Sequence, residues 1–228
     1  MFYYDWTYIL VLVGAVIVLA AQARVKGTFN KYSKIQSRTG MTGEETARRM
    51  LNYAGIYDVT IERINGNLTD NYDSSTKTLH LSDSTFGATS VAAVGVAAHE
   101  CGHALQHAEG YNPLKIRSVL FPAANIGSKF GIPIVILGLF LGYNPILMQI
   151  GIWAFSIGVL FQLVTLPVEF NASARAVKLL DNYGILAGEE IVGCKKVLNA
   201  AALTYVAAAA AAVLQLLRLV LLSGRRRD

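Results

Sequence analysis

The sequence predicts a mainly α, polytopic membrane protein with about four transmembrane helices and a small α+β domain between the first two. Three observations carry this. The 228 residues are 54% hydrophobic and only 15% charged, where a soluble domain usually carries about 25% charged residues. Mean hydropathy is +0.42. Four apolar runs each approach the roughly 20 residues that a spanning helix needs, and one soluble chain of this size cannot hide four such helices in its core. The same composition excludes disorder, which requires low hydrophobicity and high charge. Two cysteines, Cys101 and Cys194, make no disulfide framework.

The first run, residues 6–23, is uncharged and is flanked by Tyr3, Tyr4, Trp6 and Tyr8, which suit a membrane interface. Its end, Ala21-Gln22-Ala23, has the form of a signal-peptide cleavage site. Asp5 stands where such a peptide carries positive charge, so the run is expected to remain as helix. The second region, 116–143, is interrupted by Pro122, Lys129 and Pro133. The third, 145–168, is uncharged up to Glu169, and a segment of helix and loop, 169–196, follows it. The fourth, 197–222, is alanine-rich with one charge, Arg218.

Orientation follows the loop cations. Arg24, Lys26, Lys31, Lys34 and Arg38 follow the first span, Lys115 and Arg117 precede the second, and Arg175, Lys178, Lys195 and Lys196 follow the third. Four spans put all of these on one side, which the positive-inside tendency makes the cytoplasm. Arg225-Arg226-Arg227 falls on the other side and runs against this assignment. The expectation is a multi-pass protein of the cell membrane whose main polar segment faces the cytoplasm. The net charge of +5 is thereby assigned to the surface of a lipid bilayer, not to nucleic acid.

Residues 24–115 are the one stretch long enough for a small folded domain. Thr42-Gly43-Glu44-Glu45 offers an N-cap with acids in the first turn, and Ala47, Met50 and Leu51 give the following helix an apolar face before Gly55. Val59-Thr60-Ile61-Glu62 alternates as a strand does, Asn65-Gly66-Asn67 and Asp73-Ser74-Ser75 are turn chemistry, and Thr78-Leu79-His80-Leu81 reads as a second strand. From about 90 to 108 the chain turns apolar and predicts a buried helix.

That helix carries His99, Glu100 and His103. Residues four apart lie about 40° from one another on one helical face, roughly 6 Å along the axis. Two imidazoles so placed can converge on one Zn²⁺ at about 2.0–2.1 Å each. Glu100 is turned about 100° from His99 and reaches a water on the metal, as the general base of an H-E-x-x-H zincin does. A buried helix otherwise avoids such polar groups. The bare five-residue pattern is common, and its competing reading is a satisfied polar cluster.

A catalytic zinc needs a third protein ligand and an open position. His107 lies eight residues from His99, roughly 12 Å along a continuous helix, too far to share the ion with both histidines. Glu169 is the better candidate, because acids bordering a span are expensive and usually functional. His80, in a strand, is expected to contact substrate if it acts at all. Tyr72, His107 and Arg175 are candidate donors to the oxyanion, and the strand around Leu79 is a candidate for pairing with an extended substrate.

Four blocks, Gly55-Ile56-Tyr57-Asp58-Val59, Leu68-Thr69-Asp70-Asn71-Tyr72-Asp73, Leu79-His80-Leu81-Ser82 and Gly95 to Ala104, resemble the YugP-like membrane zinc metallopeptidases, also called neutral zinc metallopeptidases. Glu169-Phe170-Asn171-Ala172-Ser173 with Arg175-Ala176 is similar to that family's downstream block. A more distant likeness is to the HtpX and CAAX-prenyl membrane proteases, which pair H-E-x-x-H with a later E-x-x-x-D. The resemblance implies a zincin-like α+β domain, zinc held by His99, His103 and Glu169, catalysis by Glu100, and protein or peptide substrates. Ser173 stands where those proteases carry the aspartate that orients a histidine ligand, so the usual carboxylate partner is not expected at that position. Asn171 replaces a frequent aspartate.

The expected function is therefore a membrane-embedded zinc-dependent endopeptidase of membrane-associated or unfolded proteins. A non-catalytic zinc-binding scaffold or quality-control module is the alternative; a structural site would be closed by a fourth ligand and would not need Glu100. A transporter is the third reading, and it finds no evident acidic partner for Lys129 or Arg218 in the neighbouring sequence.

Overall fold

A computed structural model describes residues 5–224. Tyr3, Tyr4 and the arginines 225–227, used above as interface and topology signals, lie outside them. In chain order the elements are α1 (Tyr8–Tyr32), α2 (Gly43–Tyr53), β1 (Thr60–Ile64), β2 (Asn71–Asp73), β3 (Thr78–Ser82), α3 (Val91–Ala108), α4 (Asn112–Phe140), α5 (Pro145–Asn182) and α6 (Glu189–Gly224). By length and composition α1, α4, α5 and α6 can each cross a membrane. All but α4 run well past the apolar stretches that mark them in sequence. The prolines 122 and 133 lie inside the continuous α4.

The chain forms two compact units, one of Met1–Gln22, Lys115–Pro167 and Thr204–Asp228, the other of Ala23–Leu114 and Val168–Leu203. In the first, α4 and α5 meet through small residues. A Cβ on Gly151 would stand 2.6 Å from the Gly131 carbonyl oxygen, a backbone approach typical of helices packing without a hydrophobic drive between them. Arg218 has an acidic partner from outside its neighbouring sequence. Its guanidinium is 3.1 Å from Asp5 Oδ2 and 4.0 Å from the Tyr8 ring centroid. Sequence proximity misses this pair because its members lie 213 residues apart.

The second unit is built on α3. Ser90 caps it, with its hydroxyl accepting from Ala93 N at 3.2 Å. Helix α2 starts with a full capping box, Thr42 with Glu45. The core joins Ala47, Met50 and Leu51 of α2, Leu79 and Leu81 of β3, the alanine-rich face of α3, Ala176 and Leu180 of α5, and Cys194 and Val197 of α6. The sheet order is β1-β3-β2, with β1 parallel and β2 antiparallel to β3. Asp73 Oδ1 accepts from Ser75 N at 2.8 Å in the turn that returns the chain to β3. The strand around Leu79 is therefore central, and both its edges are already paired. This corrects its assignment as the strand that pairs with substrate: the open edges belong to β1 and β2.

Candidate metal centre

Two helices of the second unit supply the site. On α3, His99 and His103 stand one turn apart, their rings 4.8 Å between centroids and nearly perpendicular. Glu169 comes from α5. A Cβ on Gly102 would stand 2.5 Å from the carbonyl oxygen of Ala172, so the two backbones cross almost in contact there. Gly102 adjoins His103, and Ala172 lies one turn beyond Glu169, so the crossing sets the carboxylate against the imidazoles. Glu169 Oε2 is 3.3 Å from His99 Nε2 and 3.5 Å from His103 Nε2. The three ligand atoms all lie within 4.8 Å of one another.

The two carboxylate–imidazole separations fit a zinc ion. Donors at 2.0–2.1 Å in tetrahedral array lie roughly 3.3–3.4 Å apart, and two imidazoles with one carboxylate are a known catalytic donor set. The other ring nitrogens are engaged, leaving Nε2 of each ring facing the carboxylate. His99 Nδ1 meets Ser173 Oγ at 3.1 Å. His103 Nδ1 meets Gln106 Oε1 at 3.0 Å. Ser173, which the sequence reading set aside for lacking a carboxylate, thus contacts the ring that an aspartate there would be expected to orient. Gln106 was missed altogether. Its only sequence signal is a polar residue one turn past His103 in an apolar helix.

Glu100 is buried beside this cluster. Burial pushes its carboxyl above the usual carboxylate range, against the opposing pull of His99 and His103. Burial also acts to lower His103, but the hydrogen-bonded Glu169 and the nearby Glu100 outweigh it and hold the ring above its ordinary value. Two acids around two imidazoles leave the site short of positive charge, as a cation site must be.

The remaining candidates lie as follows. Tyr72 Oη is 2.9 Å from His107 Nδ1, and burial, with Asp58 and Asp73, pushes the tyrosine up to about 12, so its hydroxyl stays protonated. Arg175 bonds Glu109 Oε2 at 2.7 Å, donates to Asn171 Oδ1 at 2.7 Å and faces the Tyr111 ring. His80 is held in β3 between Glu62 and Asn71, with Nδ1 3.8 Å from Glu62 Oε2. The structure brings none of these four into the three-atom cluster.

A chain with four helices long and apolar enough to cross a membrane and an acid–histidine cluster that could hold a metal ion defines the class, and comparison with known proteins gives the family. The family model described as "Putative neutral zinc metallopeptidase" matches residues 7–224, and the chain belongs to that family. It is 47% identical over 208 residues to the "Putative membrane protease YugP" of Bacillus subtilis (strain 168), covering 91% of this chain and 92% of that protein. No solved structure matches the chain.

Proposed function

We propose that this protein is a membrane-embedded zinc-dependent endopeptidase that hydrolyses membrane-associated or unfolded proteins. The observation that carries the reading is the convergence of His99, His103 and Glu169, 70 residues apart in sequence at the extremes, with their ligand atoms within 4.8 Å of one another. His99 Nε2, His103 Nε2 and a Glu169 oxygen would hold the ion within a zincin-like domain made of residues 24–115 and the 169–196 segment. A zinc ion held there would supply Lewis acidity toward a water and the scissile carbonyl. Glu100 takes a proton from the attacking water and hands it to the leaving amine, so that water and one peptide bond become a carboxylate and an amine. Tyr72, His107, His80 and Arg175 are candidates to contact the substrate, and the free edges of β1 and β2 can add an extended peptide as a further strand. The site would face the cytoplasm.

Metal analysis of the purified full chain, beside the Glu100→Gln variant, tests this. One zinc per chain in both, with proteolysis of an unfolded or membrane-associated substrate by the wild type alone, supports the enzyme. A zinc-loaded wild type that cleaves neither substrate, with Glu100→Gln complementing a deletion fully, favours the scaffold.

A further inference from the structure

Gln106 is fully buried, and its side chain joins both helices that supply the metal cluster. Its Nε2 donates to Val168 O at 2.8 Å and to Asn171 Oδ1 at 3.0 Å, and its Oε1 lies 3.0 Å from His103 Nδ1. The direction of every bond in this chain is fixed by chemistry. Arg175 Nε donates to Asn171 Oδ1 at 2.7 Å, and a guanidinium accepts nothing, so the asparagine atom is the oxygen. Val168 contributes a backbone carbonyl, also an acceptor only. Two acceptors therefore claim the two N–H groups of Gln106, and rotating the amide by half a turn would set its oxygen against both. Its carbonyl must face His103, so Nδ1 of that ring carries a proton, and in the neutral ring Nε2 is the nitrogen left to bind a metal.

We infer that Gln106 is a positioning residue for zinc, setting the tautomer of His103 while tying α3 to the turn of α5 that carries Glu169. This rests on the reading of His103 and Glu169 as ligands. Val168 immediately precedes Glu169, so the same amide that aims one ligand also holds the backbone of the other. Arg175, itself fixed by Glu109, sets the direction of the chain from its far end.

Zinc affinity of the full chain in detergent, measured by competition with a chromophoric chelator, tests the inference. Melting of the metal-free protein serves as the readout of fold. Gln106→Met keeps the volume but no hydrogen bond, and is expected to weaken zinc binding roughly 10–100-fold, the usual effect of removing a group that orients a metal-bound histidine. Asn171 is half-buried, which makes its variants a second route if the methionine variant folds poorly. Asn171→Leu frees the amide to turn and should weaken zinc binding in the same direction. Asn171→Asp keeps the acceptor and should hold affinity near that of the wild type, a rescue that a purely space-filling role does not require. Wild-type affinity in both Gln106→Met and Asn171→Leu overturns the inference. If His103→Ala also binds zinc as the wild type does, it is the ligand assignment itself that has failed.

Discussion

Gly102 of α3 and Ala172 of α5 touch backbone to backbone: a Cβ on the glycine would stand 2.5 Å from the alanine carbonyl oxygen and 3.1 Å from its carbonyl carbon and Cα. None of these is the end of a flexible side chain, so one helix must move to admit a methyl group. Gly102→Ala is therefore expected to cost about 1–3 kcal/mol, the usual effect of overpacking a core. It should also weaken zinc binding, because Glu169 shifts with its helix. Gly27→Ala, in α1 with nothing within 4 Å of the added carbon, is the control and should be neutral or slightly stabilising. Thermal unfolding with and without zinc checks both.

Ser173 Oγ is the group at His99 Nδ1, 3.1 Å away. Ser173→Ala removes that partner from a ring that is only 13% exposed. Zinc affinity should fall by roughly tenfold or more. Ser173→Asp supplies a charged acceptor at the same place and should bind zinc at least as tightly as the wild type. Chelator competition on the two variants checks the order.

Much of this was legible in the sequence, for reasons that differ by element. Hydropathy alone marks the four long helices, because a membrane imposes length and apolarity locally. Thr42 with Glu45, and the four-residue spacing of His99 and His103, are likewise local signals. Long-range contacts were not legible. Strand β2 is three residues long and two of them, Asn71 and Asp73, are turn formers, so its pairing with β3 shows only in three dimensions. Gln106 bonds Val168 and Asn171 from 62 and 65 residues away, and nothing in an isolated glutamine announces such partners. The serine at 173 was judged by the charge it lacks, whereas its hydroxyl reaches the histidine at ordinary hydrogen-bonding distance.

Arg218 and Asp5 tie the last helix to the start of the first within the first unit. Both side chains are 13% exposed, so each stabilises the other's charge where solvent does so poorly. Asp5→Asn and Arg218→Gln should each lower the melting temperature in detergent. The double variant should lose less than the sum of the two, with a coupling of about 0.5–3 kcal/mol. Strict additivity would mean the pair contributes no interaction of its own.

Replacing Glu100 with glutamine preserves size and hydrogen bonding and removes the base. Loss of a general base typically costs about 10²–10⁴ in rate, so Glu100→Gln should retain zinc and fold while losing nearly all peptidase activity. His103→Ala should lose zinc and activity together. Burial raises the Glu100 carboxyl, and the base works only when ionised. Activity of the wild type should therefore rise with pH through that raised value, and the acid limb of kcat/KM should lie above the ordinary glutamate pKa of about 4.3.

The proposed cytoplasmic orientation of the site is open to a labelling test. Residues 23–114 and 168–203 fold together, and the proposed topology sets both segments on one side of the membrane. In that proposal α4 and α5 cross and return, while α1 enters from the opposite face and α6 leaves to it. The Asp5–Arg218 contact agrees, since it brings the start of α1 beside the end of α6. The side that holds the second unit also collects eleven lysines and arginines close to span ends, from Arg24 to Lys196, and these favour the cytoplasm. Both native cysteines are buried, so an introduced one is read against a silent background. Cysteine at exposed Lys34 should resist a membrane-impermeant thiol reagent in intact cells and react after permeabilisation. Cysteine at Leu141, in the α4–α5 turn, should react in intact cells. Ready labelling of Lys34→Cys in intact cells, with Leu141→Cys protected, would invert the protein and place the metal centre outside the cytoplasm.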